Sequence, residues 1–169
     1  MLEFILFLNA PEKQILELIQ KANYTVEENT PLCLINEKFF GFLKKKAKIV
    51  TICTENAKEY GGHNFMQNTN SGTSFKTGLM IRRAVRHESV HIAQECNNGN
   101  LIQPANKKKI TINSTKLNAL KASVALVGGE EQEYEAYSME DQPRKIIKAL
   151  KKFCINPMED NAKGIYSLE

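Results

Sequence analysis

No apolar run in this chain approaches the roughly 20 residues that a bilayer-crossing helix needs, so no membrane span is expected. Only two aspartates occur, Asp141 and Asp160, among 19 acidic residues, which excludes a site built mainly from aspartates. The four cysteines (Cys33, Cys53, Cys96 and Cys154) form no C-x-x-C pair, a poor spacing for a structural zinc knuckle. Repeats, low-complexity tracts and clear linkers are missing. So is a convincing export signal: residues 1–10 lack a basic start, carry Glu3, and hold an unbroken apolar core only from Phe4 to Leu8. That segment reads as a buried strand or the lead-in to a helix. The expected location is cytoplasmic, with reduced and mostly buried thiols.

What is present fits one globular domain. In 169 residues, 42% are hydrophobic and 25% charged, which excludes a disordered chain, a collagen repeat or a coiled-coil rod. The net charge of +4 falls short of a nucleic-acid-binding signature, and no nucleic-acid partner is expected. Residues 11–22 predict a helix with Ile15, Leu16, Leu18 and Ile19 inward. Residues 49–53 are a β-branched run that predicts a strand, preceded by Lys44, Lys45, Lys46 and Lys48 as a solvated edge. Residues 60–78, rich in Gly, Asn, Ser and Thr, predict a long irregular loop. Helices follow over 79–97, 114–126, 130–140 and from Pro143, the last with Ile146, Ile147, Leu150 and Phe153 inward. The fold class is α+β, mostly helical with a small sheet. Within the single domain 1–169, residues 1–75 form an N-terminal helix and strand part, 76–140 the helices that carry the candidate site, and 141–169 a C-terminal helix and tail.

The chemistry concentrates in Arg86-His87-Glu88-Ser89-Val90-His91, an H-E-x-x-H motif inside a predicted helix. Positions four apart lie about 40° apart around a helix axis, one turn along, so both imidazoles can hold one metal ion. Glu88, offset by about 100°, can reach a water on that metal without being a ligand. Zinc-dependent amide hydrolysis needs this division: the metal activates water and polarises the carbonyl, and the carboxylate moves the proton. The surroundings agree, since Ile81, Val85, Ser89, Ile92 and Cys96 trace a core-facing stripe. Ala84, His87 and His91 share the neighbouring face, with Ala84 small enough to leave space.

A catalytic zinc usually takes three protein ligands. The metzincin pattern would place glycine at 94 and histidine at 97, where this chain has Gln94 and Asn97. Glutamates of the later acidic helix (Glu130, Glu131, Glu133, Glu135 and Glu140) are the remaining source, and so many like charges on one helix favour a cation among them.

H-E-S-V-H at 87–91 followed by G-G-E-E-Q-E-Y-E-A-Y at 128–137 resembles the gluzincin metallopeptidases and, more loosely, small zincin-like putative peptidases of bacteria and phages. The resemblance covers about a third of the chain. It implies a zincin-like fold, with the sheet beside the H-E-x-x-H helix, and a zinc metallopeptidase acting on a peptide or protein substrate. An E-x-x-A pattern fits Glu133 and Ala136, making His87, His91 and Glu133 the Zn²⁺ ligands and Glu88 the general base on a zinc-bound water. Glu135 is the leading alternative ligand and Glu131 a distant third; Glu133 and Glu135 lie about 200° apart on a helix and cannot both serve one ion. Tyr137 is the candidate oxyanion donor, ahead of Tyr134. His63 is a candidate ligand or substrate contact. Arg82, Arg83 and Arg86 are read as solvated, one of them able to pair with a carboxylate of the acidic helix. The strand at 49–53 is a candidate edge strand for an extended peptide. The alternative reading is a catalytically inactive zincin-like binding or regulatory module with a structural metal.

Overall fold

The computed structural model describes residues 2–62, 71–103, 114–127 and 129–157. A 3-10 turn over Glu3–Phe7 leads into α1 (Ala10–Lys21), then β1 (Thr25–Glu28), a second 3-10 turn (Pro31–Leu34), β2 (Gly41–Lys44) and β3 (Ile49–Ile52). The elements that follow are helical: α2 (Thr54–Gly61), α3 (Ser71–Cys96), α4 (Ser114–Val127), α5 (Glu130–Met139), α6 (Pro143–Leu150) and a π turn over Lys151–Ile155. Helix in excess over one three-stranded sheet is the α+β class expected.

The axis of the molecule is α3, whose 26 residues give it a length of about 39 Å. Helices α1, α2, α5 and α6 and strands β2 and β3 all pack on it. Its expected stripe is buried at Ile81, Val85, Ser89 and Ile92, against Ile15 and Ile19 of α1, Val50 and Ile52 of β3, and Ile146 and Leu150 of α6. Each such side chain contributes roughly 1.5–3 kcal/mol on burial, and this burial holds the helix layer to the sheet. Glu12 ties the layers at their edge: it accepts the backbone N–H of Asn9 at 3.2 Å, capping α1, and lies 3.7 Å from the buried Arg86 guanidinium on α3. Arg86 is therefore not the solvated charge expected, because its partner lies on a distant helix.

The sheet order is β1-β3-β2, with β1 parallel and β2 antiparallel to β3. This corrects the expected place of the 49–53 strand. It is central, and its residues from Val50 on are buried. β2 is an edge strand, with Gly41 opposite Ile52 and Lys44 opposite Ile49. Lys44, Lys45, Lys46 and Lys48 are exposed, as expected.

Two further expectations are corrected. Much of the 60–78 stretch is helix, since α2 runs to Gly61 and α3 begins at Ser71. Packing overrides weak helix propensity here: Thr77 is fully buried, and Gly61 meets it so closely that a side chain on Gly61 would collide. The cysteines are paired. Cys33–Cys53 joins the second 3-10 turn to the end of β3, and Cys96–Cys154 joins the end of α3 to the π turn, with Cα separations of 5.5 and 5.2 Å. The partners are 20 and 58 residues apart in sequence, so only folding brings them together.

Residues 3–7 are the lead-in to a helix, not a strand. Their turn is pinned where the backbone N–H groups of Glu3 and Phe4 each donate to the Glu28 carboxylate at 2.7 Å, which buries Phe4. No described helix is long and apolar enough to cross a membrane.

Candidate metal centre

The regular spacing of α3 puts His87 and His91 one turn apart on the face that meets α5, with ring centroids 4.9 Å apart and their Nε2 atoms at 3.2 Å. From α5, Glu133 enters between them. Its Oε1 lies 3.0 Å from His91 Nε2 and its Oε2 3.3 Å from His87 Nε2. One donor atom from each of the three falls within 4.8 Å of the others. Ala136, fully buried three residues on from Glu133, is the small residue at the centre of α5.

Two buried atoms at this site lack hydrogen-bond partners: Nδ1 of His87 and Oε2 of Glu133. The carboxylate of Glu140 approaches His87 Nδ1 at 3.6 Å, an ion-pair distance too long for a hydrogen bond. Orphaned polar atoms in a buried site are costly, and a cation at the centre would satisfy Oε2. Two imidazoles and a carboxylate suit zinc in number and type. The residues therefore fit the ion that the motif implies.

Charge at the centre is redistributed accordingly. Burial lowers the His87 imidazole, but Glu133 and Glu140 beside it more than offset this and raise its pKa to about 10. Burial raises Glu133, yet the two imidazoles pull its pKa down to about 2. With no ion, these groups hold one another as an ion pair.

Glu88 is buried next to this cluster, and burial raises its pKa against the opposing pull of His87 and His91. A carboxylate so placed is primed to take up a proton. The centre opens on a cleft of about 440 Å³. Phe39, Gly41, Phe42, Leu43 and Lys45 form one wall, and Ser123, Gly129, Gln132 and Glu133 the other, with His87, Glu88 and His91 between. The strand beside the cleft is thus β2, not β3.

The structure separates the candidate glutamates. Glu131 is exposed. Glu135 is buried but turned away from the imidazoles: its carboxylate accepts the side-chain amide of Gln94 at 2.8 Å and the backbone N–H groups of Ile102 and Gln103 at 2.9 and 2.8 Å. Glu133 alone of the three reaches the histidines.

Tyr137 sits one turn after Glu133, its ring edge-on to His87 at 4.4 Å and its hydroxyl 3.0 Å from Ser123 Oγ of α4. Burial pushes its pKa up to about 12, with the Ser123 hydrogen bond opposing and Glu133, Glu140 and Glu88 adding to the rise. The hydroxyl is therefore a protonated donor at any physiological pH. Neither tyrosine is among the residues lining the cleft; Tyr137 touches two that are, His87 and Ser123. Arg83 pairs with Asp141 at 3.3 Å and approaches Glu140 at 3.8 Å, while Lys116 reaches Glu140 at 3.2 Å. Arg82 donates to the Phe7 carbonyl at 2.9 Å. His63 lies outside the described residues.

Sequence reasoning missed Gly41 and Gln94. Gln94 follows His91 by three residues and so shares its face, a signal the helix period carries. Nothing local marks Gly41.

A family model described as Domain of unknown function (DUF8637) matches residues 4–155. The chain belongs to the DUF8637 family. The match takes in the whole three-stranded sheet, both disulfides and every residue of the candidate centre. No curated protein and no solved structure matches the chain.

Proposed function

We propose that this protein is a zinc-dependent metallopeptidase of gluzincin type, with a zincin-like fold. His87, His91 and Glu133 hold Zn²⁺, and Glu88 is the general base. The observation that carries the reading is the convergence of two imidazoles from one helix and a carboxylate from another, with an unpartnered Glu133 oxygen and a second buried carboxylate at hand. When bound, zinc would supply a Lewis acid that polarises the scissile carbonyl and acidifies water.

The chain's own residues do the rest. Glu88 takes the proton of the attacking water and hands it to the leaving amine, work for which its raised pKa suits it. Tyr137, protonated and beside His87, is the candidate donor to the developing oxyanion. The edge strand β2 is a suitable backbone for an extended peptide, and Phe39, Phe42 and Leu43 along its wall favour an apolar side chain there.

The paired cysteines favour an oxidising compartment over the cytoplasm expected from the sequence. The test of the function is zinc stoichiometry together with peptide-library cleavage by the wild type and Glu88→Gln. One zinc per chain in both, with cleavage reduced about 10²- to 10⁴-fold in the variant, is expected. Zinc in the wild type without cleavage of any peptide would favour the inactive module with a structural metal.

A further inference from the structure

Gln94 and Glu135 lie outside the set of donor atoms, yet both are buried beside it, 3% and 7% exposed. Their hydrogen bonds form a directed chain whose direction follows from the chemistry of its far end. An ionised carboxylate only accepts. Glu135 is surrounded by donors: the backbone N–H groups of Ile102 and Gln103, and the Gln94 side chain at 2.8 Å. The Gln94 group facing it must therefore be the NH₂, and the second amide hydrogen is taken by the Gln132 carbonyl at 3.1 Å. Turning the amide over would set its oxygen against two acceptors at once.

The Gln94 oxygen is thereby left facing His91 Nδ1, at 2.8 Å. A carbonyl oxygen accepts, so Nδ1 must carry the hydrogen. The other ring nitrogen, Nε2, is thereby the atom turned to the centre, 3.0 Å from Glu133 Oε1 and 3.2 Å from His87 Nε2, where a cation would meet it. The other histidine has no such partner, since Nδ1 of His87 makes no hydrogen bond.

We infer that Glu135 and Gln94 are positioning residues, a two-step relay that keeps a hydrogen on His91 Nδ1 and so turns Nε2 to the metal centre. The value of that orientation rests on the metal reading above; the relay itself does not. It also joins the centre to the 102–103 backbone, because one carboxylate serves both.

The test has two separate readouts. Long-range ¹H–¹⁵N NMR of the metal-free protein reads whether His91 Nδ1 carries a hydrogen-bonded proton. Competition with a chromophoric chelator reads zinc affinity. In the wild type, a proton on Nδ1 held in a hydrogen bond is expected. In Gln94→Met, which keeps side-chain volume but removes the acceptor, and in Glu135→Gln, which frees the Gln94 amide to turn, that hydrogen-bonded Nδ1–H signal is lost and zinc binding weakens about 10- to 100-fold. A wild-type His91 bare at Nδ1, or variants with unchanged Nδ1–H signal and affinity, overturns the relay. Should Glu135→Gln fail to fold through loss of its contacts to residues 102 and 103, Gln94→Met, which keeps them, carries the test. Absence of zinc binding by the wild type would remove the metal reading, while the NMR result still decides the relay.

Discussion

A β-carbon on Gly41 would lie 3.0 Å from both Cγ and Oε1 of Glu88. The edge strand and Glu88, the proposed general base, are thus in contact through a missing side chain, and Ala84 on α3 bounds the same space at 3.4 Å. Gly41 is present for the close approach of β2 to α3, which lets the cleft wall and the carboxylate share one site.

Replacing Gly41 with Ala should therefore displace the Glu88 carboxylate by a few tenths of an ångström or more. The expected outcome is a fall in kcat of about 10- to 100-fold, because misplacement of a catalytic group on the ångström scale costs about that much. Zinc content should be unchanged, since none of the three ligands moves. Steady-state kinetics and metal analysis on the same sample check it; an unchanged kcat would mean that the close approach at Gly41 does not set the position of the Glu88 carboxylate.

For Tyr137, an oxyanion donor and a mere support for the His87 ring predict different results. Tyr137→Phe keeps the ring contact and removes the hydroxyl, so a donor role predicts kcat lower by about 10²-fold with KM little changed. Ser123→Ala, which removes only the hydroxyl's partner, should cost about 1 kcal/mol of stability by thermal or denaturant unfolding. Full kcat in Tyr137→Phe would leave the residue a support for His87.

On the zinc reading, metal removal should expose the charge pair at the centre. In the metal-free protein the pKa of His87 rises from 6.5 to about 10 because Glu133 and Glu140, with Glu88 close by, outweigh its burial. A raised imidazole stabilises the folded state fully below pH 6.5, and the contribution disappears as pH climbs through about 10. The depressed carboxylate of Glu133 contributes above pH 4.5 and ceases to do so as pH falls through about 2. Between pH 6.5 and 10 the chelated protein should therefore lose Tm more steeply than the zinc-loaded one. Parallel Tm profiles over that range would contradict the pairing.

Both disulfides should be present in protein folded under oxidising conditions, with no free thiol detectable after denaturation. Cys96→Ser or Cys33→Ser should destabilise by about 2–4 kcal/mol. The larger loss is expected for Cys96–Cys154, whose closed loop is the longer. Denaturant unfolding of each variant against the wild type measures the difference.

The core of the site was legible because it lies on one helix. His87, Glu88 and His91 are related by the helical period alone, and Ile81, Val85, Ser89 and Ile92 mark the buried side of that same helix. The acidic helix was legible as a source of a carboxylate by composition. Its choice between Glu133 and Glu135 was not, since either residue can face α3 depending on how α5 is rotated. That rotation is decided by Ala136 and Met139 packing inward and by the donors that capture Glu135.

Short-range spacing in the sequence determined the α+β composition, the two-histidine turn and the buried stripe beneath it, because residues a turn apart have their relative positions set by backbone geometry. Tertiary structure alone decided which glutamate meets the imidazoles, which strand borders the cleft, which cysteines pair and why position 41 is glycine. Each of those depends on distances between segments far apart in the chain, and such distances exist only after the core has closed around α3.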